Sequence, residues 1–123
     1  MRKLRESLLK GILPLAVLHL IDKQPMHGYQ IITAFRKAFG VYFGASTIYP
    51  LLCNLEKKGY LKSEWNFSSA RPRKIYKLTN EGKRYLEQGR TELGYIASTL
   101  SLLQQQEIIK NWLVHTIDLS AQN

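Results

Sequence analysis

From Ser7 to Ile21, apolar residues recur at Leu8, Leu9, Ile12, Leu13, Ala16, Val17, Leu20 and Ile21. This three- and four-residue spacing predicts one helix with a broad apolar face. Asp22-Lys23-Gln24-Pro25 ends it, because the residue before a proline avoids helical dihedrals. Met26-His27-Gly28-Tyr29 opens a second helix with apolar positions at Ile31, Ile32, Phe35, Ala38 and Phe39. Gly40 closes it, since glycine readily takes the left-handed conformation at a helix end. The loop Val41-Tyr42-Phe43-Gly44-Ala45 leads to Ser46, an N-cap residue type, and a third helix runs to about Lys58 before Gly59. Helical geometry puts its Ile48, Leu52 and Leu55 on one face, expected in the core.

The period then changes to two. Leu61, Ser63, Trp65 and Phe67 alternate with Lys62, Glu64 and Asn66, which predicts a strand with Trp65 in the core at the base of a hairpin. Ser68-Ser69-Ala70-Arg71-Pro72 is the turn. Ile75-Tyr76-Lys77-Leu78-Thr79 returns, with Tyr76 and Leu78 on one face and Ile75 and Lys77 on the other. Thr79 caps a long fourth helix whose Leu93, Ile96, Leu100 and Leu103 follow coiled-coil spacing. Glu107 and Lys110 fall on the extrapolated seam, while Ile108, Ile109, Trp112, Leu113 and Ile117 form a new apolar face. The long helix therefore kinks, or a second helix starts near Gln105.

These elements predict a mainly α fold with a small β-hairpin wing: a winged helix-turn-helix over residues 1–79 and a C-terminal helical dimerisation segment over 80–123. An unpartnered seam of four apolar side chains must be buried somewhere. A two-fold partner and the first helix of the same chain are both candidates.

Charge sharpens this division. Of 123 residues, 18 are Lys or Arg and 9 are Asp or Glu, a net of +9. Residues 1–90 hold 17 basic and 6 acidic residues, whereas 91–123 hold only Lys110 against Glu92, Glu107 and Asp118. A basic body suits a polyanion and a nearly neutral apolar tail suits another task. The single Cys53 excludes an internal disulfide and any cysteine-cluster zinc site, and it fits a reducing cytoplasm. It is expected to be a buried, inert thiol. Met1-Arg-Lys-Leu-Arg before an apolar run resembles a signal peptide superficially. Glu6, Lys10, Pro14 and His19 interrupt that run, and it is too short to span a bilayer, so a core helix is the better reading.

Two constellations carry chemistry. Thr47, Pro50, Asn54 and Lys57/Lys58 share the third helix's other face, offering a hydroxyl, an amide and two cations. Asparagine reads adenine edges, threonine meets a thymine methyl, and lysine reaches phosphate. Arg71, Arg73, Lys74 and Lys77 crowd the hairpin, where cations lose little freedom on meeting phosphates. The same charges also discourage sheet-edge aggregation. Arg2, Lys3, Arg5 and Lys10 add either further phosphate contacts or a frayed terminus.

The chain resembles the PadR family of prokaryotic transcriptional regulators. The carrying residues are His27-Gly28-Tyr29, then Thr47-Ile48-Tyr49-Pro50-x-Leu52 with Leu55-Glu56-x-x-Gly59, then Arg71-x-Arg73-Lys74-x-Tyr76-x-Leu78-Thr79-x-x-Gly82. The family usually has glycine where this chain has Ser46, which implies a modest change at the helix start. The resemblance implies a homodimer that binds double-stranded DNA at a pseudo-palindromic operator and usually represses. It also implies a small hydrophobic or aromatic effector near the dimer interface. Thr47, Tyr49 and Pro50 would then belong to the DNA-facing helix, and Arg71, Arg73 and Lys74 to the phosphate-contacting wing; Ser46, at the start of that helix, is counted with the DNA-facing residues by its position in this chain. Asn54 and Lys57 join them by helix geometry. Leu93, Ile96, Leu100 and Leu103 would form the dimer seam.

Nothing points to an enzyme. There is no phosphate-cradling glycine loop, no nucleophile elbow and no triad pattern, and His19, His27 and His115 have no metal-ligand spacing. No cofactor is expected. His27 is expected to cap its helix or pack beside it. Trp112 is a candidate for an effector pocket or an interface. The competing reading is a winged-helix protein-interaction module without sequence-specific DNA binding, whose main binding would survive loss of the wing cations.

Overall fold

A computed structural model gives the backbone of residues 1–121 and the side chains of residues 1–115. Among these, the helices are α1 (Arg2–Gly11), α2 (Leu13–Lys23), α3 (Gly28–Phe39), α4 (Ala45–Lys57), α5 (Asn80–Leu103) and α6 (Gln106–Ala121). The strands are β1 (Met26–His27), β2 (Leu61–Asn66) and β3 (Arg73–Leu78). By its internal contacts the chain divides into two units, Met1–Glu87 and Gln88–Asn123.

The first unit is a three-helix core closed by a small sheet. Val17 and Leu18 of α2, Ile31 and Phe35 of α3, and Ile48 and Leu52 of α4 are completely buried. Each contributes about 1.5–3 kcal/mol. Ile48, Leu52 and Leu55 occupy the face that the sequence predicts. Phe35 packs against Phe39 and Phe43, with ring centroids 4.7 and 5.2 Å away. That cluster draws the loop between α3 and α4 into the core, and Val41 is buried with it.

The expected first helix is in fact two. The chain breaks at Ile12, with φ −118° and ψ 17°. Pro14 explains the break: it has no N–H for the Lys10 carbonyl, and its ring would collide with that group in a continuous helix. In the first turn of α2 the same proline is well placed. Residues 2–10 are helical rather than frayed, and Leu8 of the predicted apolar set is exposed while Leu9 is buried. Arg5 donates to the Phe39 carbonyl at 2.9 Å and Lys10 lies 3.7 Å from Glu6, so two of the four N-terminal cations have partners inside the protein.

At α4, Gly44 is the N-cap and Ser46 lies inside the first turn without a side-chain cap. Thr47 and Ile48 both donate to the Gly44 carbonyl, at 3.1 and 3.0 Å, which sets the helix start two residues before the expected cap. The far end matches expectation. Gly59 takes φ 84°, its N–H bonds the Glu56 carbonyl, and the Tyr60 N–H bonds the Leu55 carbonyl.

The hairpin is joined by a third strand, giving the antiparallel order β1-β3-β2. Met26 pairs with Tyr76 and His27 with Ile75. Two residues are too few to show a period, and their partners lie about fifty positions away in the sequence, so the sequence pattern reads β1 as part of a helix start. Tyr76 and Leu78 are buried as predicted. Trp65 is not: it is exposed, because only Leu61 of β2 is near enough to the helices to be buried. Cys53 is also exposed, since it projects from α4 away from the buried Ile48–Leu52–Leu55 face. Thr79 does cap α5. Its hydroxyl accepts from the Gly82 N–H at 2.9 Å and donates to the Gly59 carbonyl at 2.6 Å.

In the second unit, α5 ends at Leu103 and α6 starts at Gln106. The register break is therefore a new helix rather than a kink. Glu107 sits in the first turn of α6, where the helix dipole favours a carboxylate. Ile108 and Ile109 are half-buried, Trp112 and Leu113 are exposed, and the Ile117 side chain lies outside the described residues. No described helix is long and apolar enough to cross a membrane.

Candidate nucleic-acid interface

Core packing aims α4. With Ile48, Leu52 and Leu55 buried, Ser46, Thr47, Pro50, Asn54, Lys57 and Lys58 all face solvent. Pro50 lies inside the helix and offers no N–H to the Ser46 carbonyl, which leaves that acceptor to another partner.

The wing projects beside this helix and is tied to it. Lys74 Nζ lies 3.5 Å from a Glu56 carboxylate oxygen, the Ser63 hydroxyl donates to the same carboxylate, and Lys74 also sits 5.7 Å from the Tyr76 ring centroid. Burial raises the Tyr76 phenol pKa, partly offset by the Lys74 charge. Arg71 and Arg73 are exposed near the tip.

Between α3, α4 and the wing lies an open cleft of about 580 Å³. Its walls include Tyr29, Tyr49, Trp65, Arg71, Arg73 and Lys74. Four predicted residues, Tyr49, Arg71, Arg73 and Lys74, therefore come together here. Thr47, Pro50, Asn54 and Lys57 stay on the open face of α4. Gly28 explains how Tyr49 reaches the cleft: a Cβ at Gly28 would strike the Tyr49 ring, with its hydroxyl oxygen only 2.8 Å away. Tyr29, which the sequence marks only as part of the His27-Gly28-Tyr29 helix start, and Trp65, which its alternation places in the core, both stand on the cleft wall instead. The signal for Trp65 was its position: it stands four residues past the buried Leu61, on a strand that has left the helices.

His27 joins the cleft to the core. It is buried, its Nδ1 accepts the Gln30 N–H at 3.3 Å, and the Gln30 side chain accepts the His27 N–H at 3.1 Å. Its Nε2 lies 2.6 Å from Arg73 Nη1. A neutral imidazole has one acceptor nitrogen, so the helix cap and the wing arginine compete for it. Burial, and secondarily the Arg73 charge, hold the His27 pKa below its ordinary 6.5. The unfolded chain then binds more protons than the folded one as pH falls below about 6.5, so His27 contributes stability above that pH and loses it below. Urea unfolding should show a midpoint that declines from pH 7 to pH 5. His27→Gln should flatten that decline, and an unchanged pH profile would remove His27 from the cause.

The sequence pattern of the transcriptional regulator PadR-like family matches residues 17–88, more than half of the chain. The chain belongs to this family. The match runs from α2 through the first turns of α5 and so contains both α4 and the wing. The negative transcriptional regulator PadR of Bacillus subtilis is 32% identical over 78 residues, covering 61% of this chain and 43% of that protein. The chain thus spans less than half the length of that curated relative. A PadR family transcriptional regulator from Eggerthella lenta superposes with a TM-score of 0.76 at 30% identity, over 85% of this chain and 91% of that one. A PadR-like transcriptional regulator from Bacillus cereus gives 0.72 at 29% identity, over 80% and 97%. The PadR-like chain is therefore a winged-helix member of a transcriptional regulator family, a class distinct from enzymes.

Proposed function

We propose that this PadR-like regulator is a sequence-specific DNA-binding repressor that acts in the cytoplasm as a homodimer on a pseudo-palindromic operator. The observation that carries the reading is an exposed polar face on α4 with a cationic wing held beside that helix through the Lys74–Glu56 ion pair. Asn54 and Thr47 read base edges in the major groove, Lys57 meets phosphate, and Arg71, Arg73 and Lys74 hold the backbone beside it. Ser46 and Pro50 open the start of α4 toward the same backbone. The name of the Bacillus subtilis relative supports repression.

Dimerisation rests on α5. Ile96, Leu100 and Leu103 are exposed on the single chain and Leu93 is half-exposed, all at seam spacing. A second copy would bury them and set two α4 helices against two half-sites. A small hydrophobic or aromatic effector held between the tail helices would adjust that spacing.

The test is fluorescence anisotropy of a labelled duplex from upstream of the gene, beside a random duplex, at two salt concentrations. The upstream duplex should bind more tightly, and both affinities should fall with salt. Asn54→Ala should change the ranking of operator variants, at about 1–3 kcal/mol for the base it reads, more than it changes the salt slope. Absence of duplex binding at low salt would refute the reading. An unaltered ranking would remove Asn54 from base recognition.

A further inference from the structure

The wing carries apolar surface that the fold does not use. Trp65 is 59% exposed and Phe67 is 70% exposed, and their rings stack with centroids 6.2 Å apart. Trp65 pairs with Lys74 across the ladder and shares a sheet face with Leu61. Leu61 reaches the core, but Trp65 lies four residues further along a ribbon that has left it. Clustered exposed aromatics on a projecting element mark a contact surface.

The surroundings name the occupant. On one side Trp65 borders the cleft shared with Arg71, Arg73, Lys74 and Tyr49. On its other side Trp65 and Phe67 line a second hollow of about 480 Å³ with Lys62, Lys77 and Glu64, where the two cations outnumber the one carboxylate. Aromatic rings flanked on both sides by cations complement a polymer whose anionic groups alternate with apolar surface. Duplex DNA has that alternation, with deoxyribose rings between successive phosphates. Tyr49 makes the cleft continuous with α4, so one ligand can meet helix and wing together.

We propose that Trp65, backed by Phe67, is an apolar DNA contact of the wing. Its indole packs on deoxyribose in the minor groove while the wing cations hold the flanking phosphates. The proposal rests on the DNA-binding reading above. Such a contact adds affinity without neutralising a phosphate, so it changes Kd and leaves the salt slope alone. This separates Trp65 from the arginines beside it.

The chain has two tryptophans, Trp65 and Trp112. A Trp112→Phe background makes Trp65 the sole reporter, and its duplex affinity is measured first as the reference. Adding the upstream duplex should alter Trp65 emission and shield it from acrylamide. Trp65→Ala should weaken binding about tenfold with an unchanged salt slope. Trp65→Phe should recover most of the loss, and melting temperatures should match because the side chain lies outside the core. If the reference protein binds duplex while Trp65 stays open to acrylamide, and Trp65→Ala binds equally well, the proposal fails and the aromatic pair serves another partner. If neither wild type nor reference binds any duplex, the DNA-binding reading falls, and this contact falls with it.

Discussion

Gly82→Ala should destabilise the protein by about 3 kcal/mol, although Gly82 is not among the predicted DNA contacts. A Cβ at this position would fall well inside van der Waals contact with the Tyr60 carbonyl oxygen, with the carbonyl carbon at 3.0 Å and a Leu78 methyl at 3.3 Å. The obstacle is backbone, and that backbone is committed. The Tyr60 carbonyl accepts the Thr79 N–H at 3.1 Å, while Thr79 Oγ1 bonds both Gly59 and Gly82. Tyr60 also stacks on Tyr85 at 4.3 Å, so neither side of the contact moves alone. In this joint the end of α4, the end of the wing and the start of α5 meet. Overpacking here shifts all three, and a fall in Tm of roughly 15 °C is the expected size. Gly94→Ala is the control. Its Cβ would meet nothing within 4 Å, so helix propensity should leave that variant as stable as wild type or more so. Equal melting of the two variants would show that α5 does not sit this tightly on Tyr60.

The second large effect concerns binding. Arg71→Ala combined with Arg73→Ala should weaken duplex binding about a hundredfold, taking roughly 1.5 kcal/mol for each charge-assisted contact. The loss should be uniform across sequences, since phosphate contacts carry no base information. The slope of log affinity against log salt should become shallower by about two, one for each phosphate contact. Both arginines are exposed and border the cleft, so the fold should survive, apart from release of His27 from Arg73. Unchanged binding and slope would sink the wing assignment and favour the protein-interaction reading, in which these cations are dispensable.

Much of this architecture was readable because it depends on local rules. The αL glycines Gly40 and Gly59, the Thr79 cap, the change from a period near four to a period of two at Leu61, and the buried triplet Ile48–Leu52–Leu55 each follow from neighbours within a few residues. The misreadings share a different cause. Pro14 sits in an apolar pattern that continues through it, so periodicity concealed the helix break. Trp65 alternates correctly with Leu61, but alternation gives a side chain's face and not the depth of the structure beneath it. Cys53, by contrast, is a misreading of residue type: cysteine is most often buried, but here it projects from α4 away from the buried Ile48–Leu52–Leu55 face. β1 exists only because β3 returns to it.

The sequence alone determined the run from α3 through α4 and the hairpin to α5, the polar face of α4, the cationic wing and the basic body with a nearly neutral tail. Each is a property of spacing, capping or charge, which a linear chain displays. Tertiary packing determined which residues share a cleft. Tyr29, Tyr49 and the hairpin residues Trp65 and Arg71 come from three separate stretches, and they meet because Gly28 lets Tyr49 approach and the sheet directs the hairpin beside α4. It also determined that His27 is shared between a helix cap and a wing arginine, since that geometry requires two segments 46 residues apart to be within a hydrogen bond's length. Periodicity reports the face a residue takes on its own element. Which faces meet is set by the way elements distant in sequence pack around one core.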